Sequence, residues 1–201
     1  FAVGGYGRGE LFPRSDIDVL VLGTPAQQRR HEAGLARFFA LLWDCGLPVS
    51  HAVRSPGECT QASADQTVLT ALIESRPVVA DDAARQALKA AVNVEGLWPP
   101  REFFLAKREE LLARHQRFGD TADNLEPDIK DGPGGLRDLN TLGWMALRAF
   151  GVRDLEALVG LGHLGPDEAA ALKRERCALA RLRFGLHLVA NRPEERLRFD
   201  Y

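Results

Sequence analysis

The chain has 201 residues, 26 of them basic and 28 acidic, for a formal net charge of −2. That length implies one large domain or two small ones, and the near balance of charge excludes a protein whose main task is coating nucleic acid. Its 45% hydrophobic and 27% charged content is that of a globular chain, not a disordered tail, a collagen or a disulfide knot. Of the basic residues, 22 are Arg and 4 are Lys, a bias read as genomic composition before chemistry. Cys45, Cys59 and Cys177 are widely spaced with no Cys/His cluster, and are expected to be small buried hydrophobes in a reducing compartment. No apolar run approaches the ~18–20 residues of a bilayer span, so the expectation is a cytoplasmic protein with no membrane partner. The chain opens directly on an apolar run at Phe1 and stops at Tyr201, and reads as a piece of something longer.

Residues 1–95 predict an α/β domain. Phe1-Ala2-Val3 is expected as a short strand, followed by Gly4-Gly5-Tyr6-Gly7-Arg8-Gly9, too glycine-rich for a helix interior. Ser15 to Leu22 is a strand with Ile17, Val19 and Val21 on one face and Asp16, Asp18, Leu20 and Leu22 on the other. Ala26 to Cys45 is a helix carrying Leu35, Phe38, Phe39 and Leu42 at helical spacing, with Gly46 at its end. Leu47 to Val53 predicts a strand, Asp65 to Ser75 a helix, Pro77 to Ala80 a short strand, and Asp81 to Val92 a helix.

Past Trp98-Pro99-Pro100 no strand signal appears, and residues 96–201 predict an all-α domain. Helices are expected at Arg101 to Phe118, Leu139 to Phe150 and Pro166 to Asn191. Leu172, Leu179, Leu182, Leu186 and Val189 mark the apolar stripe of the last. Asn124 to Asp138, with two prolines and three glycines, cannot be helix throughout. It is either a connection into the next helix or a loop presenting Lys130 or Arg137 to phosphate.

The chemistry concentrates at the glycine turn and Ser15-Asp16-Ile17-Asp18. Aspartates at i and i+2 of a strand share a face, with Cα atoms roughly 6.6 Å apart. Two bare carboxylates about 4 Å apart repel by roughly 4 kcal/mol at an effective dielectric near 20, so the pair calls for a cation. Hard oxygen ligands favour Mg²⁺, with Mn²⁺ as the alternative. Gly4 and Gly5 let backbone N–H groups approach an anion closely. A dinucleotide-binding GxGxxG is broken by Glu10, and no Gly-Lys-Ser/Thr phosphate loop exists. Arg8 and Ser15 are candidate phosphate contacts.

The run Gly4 to Leu11 with Ser15-Asp16-Ile17-Asp18 resembles the nucleotidyltransferase signature of the DNA polymerase β-like superfamily. With Asn124-Leu125-Glu126-Pro127-Asp128-Ile129-Lys130 and Gly132 to Asp138, and with Arg183-Phe184-Gly185-Leu186-His187-Leu188 onward to Phe199-Asp200, the whole chain is similar to the protein-PII uridylyltransferase/uridylyl-removing family of bacterial nitrogen regulation. The resemblance implies a polymerase β-like core (a small mixed sheet with flanking helices) followed by a helical domain. It implies UTP bound over Gly4, Gly5, Arg8 and Ser15, with the metal ions of a two-metal mechanism held by Asp16 and Asp18. It also implies UMP transfer to a tyrosine of the PII signal protein with release of pyrophosphate. Full-length members carry an HD hydrolase and ACT domains as well; this chain has no His-Asp dipeptide.

Many polymerase β-like transferases place a third carboxylate on a later strand, and Leu47 to Arg54 contains no acid. His51 stands there as a candidate base, with Glu74, Asp81 and Asp82 as acids from elsewhere. His31, His115, His163 and His187 lack a partner at metal spacing and read as structural or solvent-facing. The Arg-rich stretch from Arg174 to Arg198 reads as a solvated helix face. Two alternatives stay open: a related adenylyltransferase-type enzyme with another nucleotide or acceptor, and a non-catalytic PII-docking module.

Overall fold

A computed structural model describes residues 1–201 and divides them into two compact units. Unit 1 holds Phe1–Leu11 and Ser15–Trp98; unit 2 holds Phe12–Arg14 and Pro99–Tyr201. No helix is long and apolar enough to cross a membrane.

Unit 1 is built on a βαβ crossover. Strand β1 (Ile17–Leu22) leads through helix α2 (Pro25–Asp44) to strand β2 (Val49–Arg54), which pairs with β1 in parallel from Ile17↔Val49 to Leu22↔Arg54. A parallel pair needs such a long connection. Thr24 starts α2 with a capping box to Gln27 and Pro25 in the first turn. Of the predicted α2 stripe, Phe39 is buried and Leu35 and Leu42 are half-buried, but Phe38 is exposed. The true stripe runs at i, i+4 and i+7.

Phe1–Val3 lies antiparallel along the other side of β1 as a single bridge, with Ala2 facing both Val19 and Arg76. Ala2 and Arg76 exchange two backbone hydrogen bonds of 2.9 Å. The strand expected at Pro77 to Ala80 does not form; pairing stops at Arg76 because the next residue is a proline with no N–H to give.

The glycine segment corrects another expectation. Gly4–Arg8 is a short helix, α1, closed by Gly9 in the left-handed region at φ 77°. Its glycines answer to packing as well as to flexibility. A β-carbon on Gly7 would stand 2.7 Å from the Glu74 carbonyl and 3.1 Å from that of Ala2.

Helix α3 (Pro56–Ala62) was not anticipated, although Ser55-Pro56-Gly57-Glu58 carries its signature: a capping box with proline in the first turn. Hydrogen bonds from Gln28 and from the Ser55 backbone hold the Glu58 carboxyl down to about 2. Helices α4 (Gln66–Ile73) and α5 (Asp82–Val92) follow, capped by Asp65 and Asp81. Asp81 and Asp82 thus sit at the start of α5, where carboxylates favour the helix dipole.

Unit 2 contains helices α6 (Pro100–Gln116), α7 (Leu136–Phe150), α8 (Leu155–Gly160) and α9 (Pro166–Ala190), and no strand longer than an isolated bridge. Helix α7 begins three residues before the position expected from the sequence. On α9, Leu186 is buried while Leu182 and Val189 face outward, and the inward stripe also carries Arg183 and His187. Cys59 is buried, but Cys45 and Cys177 are exposed, so the expectation of three buried thiols holds for one.

Candidate active site

Side-chain alternation and strand register decide what shares a face with the aspartates. Asp18 pairs with Ser50 and Val19 pairs with His51. Partners in register point the same way, so Ser50, Ala52 and Arg54 stand on the Asp18 face and His51 on the opposite one. The contacts agree. The His51 imidazole stacks on Phe39 of α2 with centroids 3.6 Å apart and planes at 15°. It also lines a groove of about 530 Å³ with Phe39, Trp43 and Val53. The reading of His51 as a base beside Asp16 and Asp18 is therefore corrected: it is turned toward α2.

On the other face the glycine turn closes against β1. The Val3 N–H donates to the Asp18 carbonyl at 3.1 Å, and Gly7 N–H returns to the Val3 carbonyl at 3.0 Å. Gly4 has φ +55°, and a β-carbon there would meet Asp18 Oδ2 at 2.8 Å. The backbone of Gly4 and the Asp18 carboxylate are thus next to each other, and only glycine tolerates both the torsion and the approach. Gly5 is looser: its β-carbon would stand 3.4 Å from the Glu10 carbonyl. Asp18 and Ser15 are half-buried, and Asp16 is exposed.

Arg8 lies in the same turn but is already engaged. Its guanidinium donates to Glu74 at 2.6 Å and to Glu10 at 2.8 Å, with 18% of the side chain exposed. Burial alone would lower its pKa; the two carboxylates outweigh that and raise it. Glu74 caps the C-terminal end of α4, so Arg8 ties the glycine turn to that helix. The sequence offered no sign of this pair, which joins residues 66 positions apart.

The loop from Asn124 to Asp138 belongs to unit 2, and its polar groups serve its own structure. Arg114 of α6 donates to Asp138 at 2.7 Å and to the Asp131 carbonyl at 2.8 Å. His115, read as structural or solvent-facing, donates from Nε2 to the same Asp138 carboxylate at 3.0 Å. Lys130 pairs with Glu195 at 3.3 Å and Arg137 with Asp131 at 3.0 Å. Both candidate phosphate contacts from this loop are therefore engaged with carboxylates. Arg183, expected on a solvated face, grips Glu195 with two hydrogen bonds of 2.6 and 2.7 Å.

Comparison with known proteins bears on both units. Residues 1–79 match the nucleotidyltransferase domain family, and residues 102–201 match the GlnD PII-uridylyltransferase family. The chain is 82% identical over 200 residues to a bifunctional uridylyltransferase/uridylyl-removing enzyme of Xanthomonas campestris pv. campestris. It is 80% identical over the same length to that of Xanthomonas oryzae pv. oryzae, and 48% identical over 201 residues to that of Pseudomonas entomophila. The chain belongs to the PII-uridylyltransferase family. Each alignment covers all of this chain, and the chain spans about a quarter (22–23%) of the length of these relatives. No solved structure matches it. The nucleotidyltransferase match contains Gly4, Gly5, Arg8, Ser15, Asp16 and Asp18; the uridylyltransferase match contains the Asn124–Asp138 loop and α9.

Proposed function

We propose that the chain is the nucleotidyl-transferring portion of a PII uridylyltransferase, moving UMP from UTP to a tyrosine of a PII protein. The observation that carries this reading is the closure of Gly4 against Asp18 on the strand face opposite α2. Bare glycine backbone beside a carboxylate leaves room for a triphosphate and its cation, where any side chain would fill the space. Asp18 on β1 and Asp16, one residue ahead of that strand, would offer the hard-oxygen donors that suit Mg²⁺ or Mn²⁺. Asp16 and Asp18 would hold the metal, and when bound it would neutralise charge on the attacking and leaving oxygens.

In this reading the tyrosine oxygen bonds to the α-phosphorus of UTP as the bond to the bridging α–β oxygen breaks. The tyrosine proton passes to solvent or base, and pyrophosphate departs. Gly4 and Gly5 keep the turn low so the phosphates can approach, and Ser15 offers a hydroxyl at the entrance to β1. Arg8 supports the turn through Glu10 and Glu74. The Asp18 face of β2 carries Ser50, Ala52 and Arg54 and no carboxylate, so a third acid does not come from that strand.

The test is labelling of purified PII with UTP or ATP carrying a labelled α-phosphate, in Mg²⁺ and in EDTA. UMP transfer that stops in EDTA supports the proposal. AMP transfer in its place supports the adenylyltransferase alternative. PII binding without turnover, when a full-length relative turns over the same substrates, supports the docking-module alternative.

A further inference from the structure

Within unit 1, strand β2 is paired on one side only, because the sheet has two strands. The Ile17 N–H donates to the Pro48 carbonyl at 2.8 Å, and the Gly23 N–H to the Arg54 carbonyl at 3.0 Å. Those two bonds fix the phase of the parallel ladder: Pro48, Ser50, Ala52 and Arg54 serve β1, and Val49, His51 and Val53 direct their backbone groups outward. Val49 is closed off, its N–H donating to the Leu47 carbonyl and its carbonyl accepting from the Trp43 indole, each at 2.9 Å. The two N–H and two C=O groups of His51 and Val53 have no partner. Sheets blunt such an edge with lysine, proline or a bulge, and Val49 to Arg54 has none of these.

Donors and acceptors alternating along an extended edge are matched by one kind of ligand, another extended polypeptide backbone. A segment added there would send alternate side chains to the two faces of the sheet. On the α2 side they would enter the groove of about 530 Å³ that Phe39, Trp43 and Val53 help to line. On the other side they would join the row that already holds Asp18 and Ser50 in register. A residue opposite Ser50 would have its Cα roughly 9.6 Å from that of Asp18, two strand spacings away. A tyrosine side chain and the α-phosphate it attacks together fill that span. Because the Trp43 indole closes the edge at Val49, only two residues are open, which makes for the weak hold that a substrate released after each transfer requires.

We propose that the outer edge of β2 holds the acceptor protein by strand addition. An extended segment of PII bonds to the backbone of His51 and Val53, sets its tyrosine on the Asp18 face opposite Ser50, and lays a neighbouring side chain in the α2 groove. This rests on the transferase reading above and names the surface that delivers the tyrosine. The part of His51 that binds is its backbone; its imidazole stays stacked on Phe39.

The test follows hydrogen exchange at the His51 and Val53 amides of the purified chain, beside UMP transfer to PII. Ala52 and Arg54, whose N–H groups bond to β1, are the internal reference. Excess PII is expected to slow exchange at His51 and Val53 about tenfold or more. Val53→Pro removes one outward N–H and leaves the β1 ladder whole, as proline does on an edge strand. Val53→Ala trims the same groove wall and keeps the N–H. The Pro variant should show a KM for PII about tenfold or more above that of the Ala variant, the scale of a carbonyl left unpaired. Unchanged exchange at both amides in excess PII would overturn the proposal, as would equal KM values for the two variants. Slowing that follows the concentration of the chain itself, without PII, would assign the edge to a second copy and overturn it too. If the Pro variant does not fold, exchange in the unsubstituted chain decides alone. Should the chain transfer nothing to PII, the transferase reading fails by itself, and the two amides still report whether PII adds to the edge.

Discussion

Gly4 and Asp18 define the candidate site between them: at φ +55°, any β-carbon on residue 4 would stand 2.8 Å from the carboxylate oxygen of residue 18. Gly4→Ala therefore meets both a left-handed torsion and a collision. The torsion costs about 1–2 kcal/mol, and the collision pushes the Asp18 carboxylate aside. UMP transfer is expected to fall at least about a hundredfold, with a much smaller drop in thermal midpoint. Gly9→Ala is the control: it has φ +77° but nothing within 4 Å, so it should lose stability and keep transfer.

Arg8 separates a support from a phosphate ligand. Removing its guanidinium takes away the cation 2.6 Å from Glu74, a carboxylate with only 11% of its side chain exposed. Arg8→Ala should lose about 2–3 kcal/mol of stability, less than the loss on breaking a fully buried pair. Arg8→Ala with Glu74→Gln should recover part of it, as read by urea unfolding. A variant of full stability with a raised KM for UTP would instead make Arg8 a phosphate contact.

Unit 2 should show a specific acid sensitivity. Burial pushes the Asp138 carboxyl up, but hydrogen bonds from Arg114, His115 and the Gly134 N–H outweigh it and hold the group below its ordinary value. A carboxyl lowered in the folded state contributes stability that is present above its unfolded value, about 3.9, and lost as pH falls through the folded one. Asp138→Asn is expected to cost about 2 kcal/mol at neutral pH. The gap to the unsubstituted chain should close below about pH 4, measured by denaturant unfolding across that range.

The sheet explains what could be seen in the residues and what could not. Alternation along Ser15 to Leu22 is enough to give Asp18 the face of Leu20 and Leu22, because a strand of period two has only two faces; the strand itself begins at Ile17, so Asp16 stands just ahead of it. Which face His51 takes depends on the parallel register with β1, and that is set by the length and packing of α2, not by anything local to Leu47–Arg54. Propensity alone reads the glycine run as non-helical; it carries no information on the carbonyls of Ala2 and Glu74 that crowd Gly7. Helix α3 is legible at Ser55–Glu58 in its capping box and first-turn proline. The pairs that anchor Arg8, His115, Lys130 and Arg137 span long stretches of chain, and no sequence pattern announces them.

The face assignment is tested most directly by comparing Asp18→Asn with His51→Ala for transfer of labelled UMP from Mg²⁺-UTP to PII. Asp18→Asn is expected to abolish labelling while leaving the fold intact. His51→Ala loses its stack on Phe39 and about 0.5–1.5 kcal/mol of stability, and should keep most of the labelling. An active Asp18→Asn chain, or a folded His51→Ala chain that no longer labels PII, would contradict the placement of chemistry on the Gly4–Asp18 face.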